Sequence, residues 1–536
     1  MNILGLSVAT TEHHAAALVV DGQLVAVVEE ERLSRVKHHG ARPRAEVEAN
    51  LCNDSSIRLE EVLCRRAVAS VLSIGGLETG DIDRIAINGL RPEMMPADTR
   101  ARPPIISLDG GRIVHVPHHL CHAASAWRLS GMPAAAVLTM DGRGERETAA
   151  WFEGRNGSLR RRWDVLYGDG HSLGGCYETA SRMLGFGPYG QGALMALAAG
   201  GTPSVDLSDA LHVVSHTERT LDFRRLQDLL EPFRRAPEEP LTPLHADAAA
   251  SIQVALEEAV LALVQEGMDT TPSDALCLAG GVALNCRLNR RILEETGVQQ
   301  LFVQPAAHDA GTAVGAALEV AALEVEPPAA PLRTAAWGPS PDEQTIADAL
   351  EGAGLVAQRV ADPAVVIARH LMEGRIVCRL DGRMEMGPRA LGQRSILGDP
   401  RRPQTRLRLN RMKGRESWRP FGPSVRAEDV YDWFEEPIQS PYMLLTSRVR
   451  ESQREKVPAI VHLDGTSRPQ IVERRSLPAF AAILDAFHEA TGVPMVVNTS
   501  FNRGGEPIVC TPADAIVCWR ALGAEVLQMG NFIVSR

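Results

Sequence analysis

The sequence has no Cys-x-x-Cys pair, no cationic leader and no apolar run of membrane-spanning length. Its nine cysteines, an odd number, fit a reducing compartment better than a disulfide framework. The opening residues "MNILGLSVAT" read as a strand, so a cytoplasmic protein without a signal peptide is expected. An excess of basic charge is missing too. A net charge of -11 argues against a broad phosphate-binding surface for nucleic acid, although it allows a local basic pocket. What is present is a globular composition, 45% hydrophobic and 23% charged, in 536 residues. That length is too great for one ordinary core, so at least two domains are expected.

The first forty residues carry a hairpin in which "NILGLSVA", the polar turn "TTEHH" and "AAALVVDGQLVAVVEEER" follow one another, with Asp21-Gly22 as the turn signal. A second copy begins at residue 136, "AVLTMDGRGERETAAWFEGRNGSLRRRW". Aligned without gaps, Leu4, Leu6, Ala15 and Ala16 fall on Leu138, Met140, Ala149 and Ala150; one inserted residue brings Asp21-Gly22 near Asn156-Gly157. Such a repeat suggests two similar lobes facing a cleft, against the alternative that hairpins resemble one another by chance. "DALCLAGGVALNCRLNRRILEE" reads as strand, Gly280-Gly281 turn and helix, where backbone N–H groups can approach a nucleotide. Residues 324–344 form a Pro/Ala-rich linker, with Trp337 expected to pack, and a second domain follows.

Two stretches carry chemistry. "VPHHLCHAASAW" enters a helix through Pro117, which places His118 and His122 one turn apart on one face; His119 and His122 could also meet. Two imidazoles do not make a metal site, and a water-capped helix start is the alternative unless two carboxylates converge from elsewhere. The second stretch runs from "DGRMEMGPRALGQRSILGDP" to "SWRPFGPSV". Its basic groups are interleaved with Gly, Pro, Leu and Phe, which suits a rigid loop clamping phosphates better than a solvated helix face.

Together these segments resemble the nodulation-type carbamoyltransferase family, which includes antibiotic O-carbamoyltransferases. The resemblance rests on "EEERLSRVKHHG", "HHLCHAASAW", "LTMDG", "LAGGVALN", "PAAHDAGTAVGAAL", "MEMGPRALGQRSIL", "SWRPFGPSV", "DGTSRPQ" and "NTSFNRGGEPIV", in the family's order. It implies an α/β protein: residues 1–330 an actin- and Hsp70-like domain of two duplicated lobes, residues 331–536 a carbamoyl-adenylate-forming domain similar to threonylcarbamoyl-adenylate synthases. It implies a divalent metal, iron(II) in the family, on His118, His122, Asp141 and Asp309, with His119 and His308 as neighbours. It implies ATP and Mg²⁺ as co-substrate, carbamoyl phosphate as donor, and a small natural-product acceptor with a hydroxyl. Adenylate contacts map to Lys413, Arg419, Met443, Arg468 and Asn502, with Arg389 and Arg394 as further phosphate contacts. Gly280, Gly281 and Asn285 fall in the nucleotide segment.

The chain also departs from the family. The usual His-Asp pair before the first alanine run is Glu12-His13-His14 here, so the base for the acceptor hydroxyl is sought among Glu12, His13 and His14, with His13 first. The family's lysine in "GKVMGLA" is Ala193, and the arginine near "GGEP" stands one place early, as Arg503. A tRNA threonylcarbamoyl-type enzyme, a small-molecule kinase of the same ATPase fold and a non-catalytic sensor are the rival readings.

Overall fold

The computed structural model describes residues 1–8, 12–40, 64–90, 94–95, 104–167, 172–324, 331–435 and 439–536. Thr10 and Thr11 of the expected polar turn, and residues 325–330 of the expected linker, lie outside the described residues. The chain divides into two compact units. One comprises Met1–Glu30 and His39–Leu332, the other Glu31–His38 and Arg333–Arg536. The first unit is thus not the contiguous 1–330 expected, because an eight-residue excursion belongs to the second. Its reason is visible in that unit: Arg32 donates to the Gly387 carbonyl, and Arg35 to those of Pro507 and Ile508.

The first unit is built on two sheets of one design. Strands β1 (Asn2–Ser7), β2 (Ala15–Val20) and β3 (Gln23–Glu29) form an antiparallel meander; β4 (Arg84–Asn88) and β6 (Ile113–Val116) extend it in parallel, with β5 (Ile106–Leu108) at the edge, giving β3-β2-β1-β4-β6-β5. The second sheet repeats this with β7 (Ala134–Met140), β8 (Glu147–Arg155) and β9 (Ser158–Leu166). A ribbon of β10 (Leu211–Val213) and β11 (Arg219–Leu221) stands apart, and β12 (Ala275–Ala279) and β13 (Gln300–Val303) complete the order β9-β8-β7-β12-β13.

The two hairpin turns match as well. Asp21 and Gly22 have φ of 48° and 77°, Asn156 and Gly157 of 52° and 75°, the left-handed pair that fits a twisted hairpin. Leu6 pairs with Ala16 but Met140 with Ala149, so the second copy is shifted one residue from the ungapped alignment. Two α/β lobes of one design are the duplicated architecture expected of the first unit.

In each lobe the last parallel strand feeds a helix, His118–Ser130 after β6 and Ala310–Glu324 after β13. Each packs on the other lobe's sheet. Ala123, Ala126 and Trp127 sit among Ala135, Val137, Ala150, Phe152 and Cys277 of the second sheet, while Ala310–Glu324 lies on β1, β2 and β4. From Ala310 to Ala321 the second helix is buried around its whole girth, which is why alanine, glycine and valine dominate there. A Cβ on Gly315 would stand 1.7 Å from the Cys121 carbonyl oxygen, and one on Gly5 2.0 Å from that of Ala313. The two helix starts meet.

The second unit is a mixed sheet ordered Gln358–Arg359, Phe532–Ser535, Val526–Met529, Val377–Leu380, Arg394–Gly398, Met495–Ser500, Gly422–Arg426, Gln470–Val472, with helices Pro363–Met372 and Pro478–Thr491 packed together beside it. Ile367, Leu371, Phe480, Leu484 and Phe487 join the sheet's Val377, Leu397 and Val497 in its core. Trp337 packs within this unit, under the Arg383 guanidinium at 5.6 Å from the ring centroid.

Candidate metal centre and anion pocket

Crossed helices bring three distant segments to one point. His118 and His122 lie in the first turns of their helix and are buried; Asp141 follows the end of β7; Asp309 immediately precedes its helix. The Asp141 Oδ2 atom stands 3.0 Å from His122 Nε2 and 3.3 Å from His118 Nε2. Asp309 Oδ1 is 3.5 Å and 3.6 Å from the same nitrogens, which are 3.1 Å from each other. Donors each about 2.1 Å from one ion stand roughly 3.0–3.4 Å apart, so the set has the spacing of a coordination shell. Two imidazoles and two carboxylates suit Fe(II), Mn(II) or Zn(II) alike.

The electrostatics fit a cation. Burial alone would lower His118, but the Asp141 hydrogen bond and the charges of Asp309, Asp141 and Glu145 outweigh it and raise its pKa to about 9. Burial and the charge of Asp141 push Asp309 up. Asp141 is held well below the carboxylate range, since its bonds to both histidines overcome burial. His119 is no ligand: its Nδ1 meets the Thr139 hydroxyl at 2.8 Å and its Nε2 the Glu147 carbonyl at 3.1 Å. Burial and the neighbouring His118 and His122 keep it neutral.

A raised His118 stabilises the metal-free fold through its proton. That contribution is complete below the unfolded value near pH 6.5 and is lost as pH rises through about 9. Chelator-treated protein is therefore expected to lose about 3 kcal/mol between pH 6 and pH 9 in urea unfolding. A metal-loaded sample, in which His118 carries no proton on the ligating nitrogen, shows no such fall and gains slightly from pH 6 to about 7.5, as the unfolded imidazole gives up its proton. Equal slopes for both would separate His118 from the metal.

The second unit gathers cations. Burial, then the charges of Arg419 and Arg468, depress Arg415 to about 9, and burial with Arg468 lowers Arg419. Lys37, on the eight-residue excursion, is lowered by burial and by Arg32, Arg419 and Arg415. Glu416 stands 3.7 Å from Arg419. The Nε atoms of Arg415 and Arg468 are buried with no hydrogen-bond partner among the described residues. Arg415, Arg419 and Arg468 are half-buried and Lys37 is exposed at its edge, and like charges gathered this way favour an anion beside them. One carboxylate organises the adjoining loop: Glu385 Oε1 accepts the N–H groups of Leu391, Gln393 and Arg394.

Family models for the carbamoyltransferase N-terminus and C-terminus match residues 105–318 and 368–536. Nodulation protein NolNO of Sinorhizobium fredii is 34% identical over 97% of this chain and 78% of its own. The chain belongs to the carbamoyltransferase family. The 3'-hydroxymethylcephem-O-carbamoyltransferase of Amycolatopsis lactamdurans is 32% identical over 63% of this chain and 64% of its own. Among solved structures, HypF of T. kodakarensis aligns with 60% of this chain and 48% of its own at 16% identity and a TM-score of 0.37.

Several residues expected to bind nucleotide or phosphate in this carbamoyltransferase are placed differently. Arg394 is fully buried, and each of its side-chain nitrogens donates to a carbonyl, of Cys510, Asp381, Gly382, Gln393 or Pro339. It is a strut of the loop and not a phosphate contact; in the sequence its basic neighbours hid that difference. Lys413 Nζ lies in a cage of Ser500 O, Asn502 O and Asn502 Oδ1 at 2.5, 2.7 and 2.8 Å. Burial and Arg415 press its pKa down, yet three acceptors require three N–H groups, so it stays an ammonium turned into the protein. Asn502 donates one amide N–H to Glu506 O and accepts at Oδ1 from Lys413 and Ser500. In this arrangement Lys413 has no N–H left for an adenylate, while the Asn502 amide keeps a second one outside these bonds.

Arg503 pairs with Glu506 at the surface. Met443 is buried with φ 57°, a strained backbone for a residue with a Cβ. Arg389 is half-buried. Gly280 and Gly281 serve Asp141: a Cβ on the first would strike Met140 O at 2.1 Å, and one on the second would stand 3.2 Å from Asp141 Oδ1. Asn285 caps its helix through Leu288 N–H and bonds Gln253. Ala193 is buried in the helix Gln191–Ala198. Of the base candidates, Glu12 accepts from the Tyr189 hydroxyl, His14 is fully buried, and His13 stacks on His308 at 4.4 Å, next to Asp309. Lys37 and Arg415 were missed by sequence reading, although both lie within basic motifs.

Proposed function

We propose that this carbamoyltransferase is an ATP-dependent O-carbamoyltransferase. In the second unit, carbamoyl phosphate, water and ATP give carbamoyl-adenylate, phosphate and pyrophosphate. In the first, an acceptor hydroxyl attacks the carbamoyl carbon, the bond to the AMP oxygen breaks, and the hydroxyl proton passes to a base, for which His13 is the candidate. The observation that carries the reading is the convergence of His118, His122, Asp141 and Asp309 within 4.8 Å of one another. A divalent ion there, iron(II) by family likeness, supplies Lewis-acid polarisation of a carbonyl and offsets phosphate charge. The chain's own residues would hold the ion between two buried imidazoles and two half-buried carboxylates. Arg415, Arg419, Arg468 and Lys37 bind the anionic substrates, with Mg²⁺ accompanying ATP. The relative named for a cephem substrate supports a small natural-product acceptor.

Incubation with carbamoyl phosphate, ATP and Mg²⁺, without acceptor, tests the first half-reaction through pyrophosphate release. Arg419→Ala removes a charge-assisted contact of about 1.5–3 kcal/mol, so release is expected to slow roughly 10- to 150-fold. Normal release from that variant would reassign the pocket. No release from the parent protein would overturn the ATP-dependent reading.

A further inference from the structure

Three polar side chains of the first unit, Ser7, Asn88 and Thr312, are completely buried. Buried polar groups cost stability unless bonded, and an apolar trio of the same shape would fill this space at no such cost. Their bonds lead to one place. Asn88 Oδ1 accepts the Val8 N–H at 3.0 Å and its Nδ2 donates to Thr312 Oγ1 at 2.9 Å. With a lone pair thus occupied, the Thr312 hydroxyl hydrogen is directed to the main-chain carbonyl of Asp309, 2.5 Å away. That carbonyl also accepts the Ser7 hydroxyl at 2.9 Å and the Thr312 N–H at 3.0 Å.

We infer that Thr312, oriented by Asn88 and seconded by Ser7, is the positioning residue that fixes Asp309 as a ligand. The inference rests on the reading of His118, His122, Asp141 and Asp309 as a metal site. Asp309 stands at a helix start, where only one side of the backbone is fixed by the helix ladder. Its carboxylate must meet two nitrogens on another helix, at 3.5 and 3.6 Å. A carbonyl gripped by three donors removes the freedom of the backbone that aims it. The ends of β1 and β4 supply two of the three buried side chains, so the first sheet sets the geometry of a ligand that follows the second sheet's last strand. Groups bonded behind metal ligands commonly control affinity 10- to 100-fold.

The test is a Co(II) titration of the chelator-treated full-length protein, followed by visible d–d absorption, with a melting curve for each variant. The parent protein is expected to bind one Co(II); failure to bind would overturn the metal reading itself and the inference resting on it. Thr312→Val keeps the shape and removes the hydroxyl, and is expected to weaken Co(II) about 10- to 100-fold and shift the bands. Thr312→Ser restores the hydroxyl and is expected to bind within about 3-fold of the parent. Ser7→Ala, the second check should the valine variant unfold, is expected to weaken binding in the same direction. Parent-like binding and spectrum in Thr312→Val and Ser7→Ala would overturn the inference, as would equal loss in Thr312→Val and Thr312→Ser.

Discussion

Asp141→Ala is expected to stop carbamoyl transfer while leaving pyrophosphate release intact. Asp141 Oδ2 is the atom shared by both imidazoles, at 3.0 and 3.3 Å. Its removal deletes one donor and the counter-charge that holds the other two in place. Lewis-acid assistance to a carbonyl is worth several kcal/mol, so transfer should fall about 10³-fold, equivalent to about 4 kcal/mol. The anion pocket lies in the other unit and keeps all its residues, so adenylate should still form. Metal content by elemental analysis should drop in parallel with transfer. Unchanged transfer with full metal content would remove Asp141 from the site.

Arg394→Ala should act on stability and not on substrate binding. The side chain is fully buried between five backbone carbonyls, and its deletion leaves a cavity and takes a donor from each, although Gln393 and Pro339 keep the N–H groups of Asp381 and Met384. Losing a buried, fully bonded cation typically costs about 3–5 kcal/mol. For a unit of this size that lowers the melting temperature by roughly 6–20 °C. A phosphate contact would behave in the opposite way, with a raised KM for carbamoyl phosphate and an unchanged melting curve. That second pattern would return Arg394 to the pocket.

What could be read in the sequence was local. The hairpin turns follow from Asp-Gly and Asn-Gly, which accept left-handed backbone wherever they stand. His118 and His122 share a face because helical spacing demands it, and the resemblance supplied Asp141 and Asp309. What could not be read depends on which way a side chain turns once the chain has folded. Arg394 and Arg419 are both arginines in one basic run, yet one faces carbonyls and the other faces arginines. Gly280 and Gly281 looked like room for a nucleotide, and they are room for Met140 and Asp141. Thr312 sat unnoticed in a row of small helical residues, since nothing near it in sequence names Asn88 or Ser7.

The eight-residue excursion has a consequence for synthesis. Arg32 finds Gly387 across 355 positions, and Arg35 finds Ile508 across 473. At about 5–20 residues per second, the ribosome makes Arg35 wait roughly 20–100 s before its carbonyl partner exists. During that time β3 can complete its meander, but Arg32 and Arg35 lack the carbonyls they bond in the finished chain. The second unit therefore cannot finish as an independent C-terminal module. A ribosome stalled before residue 508 should display Arg32 and its neighbours to a protease, and release of the full chain should bury Glu31 and Arg32.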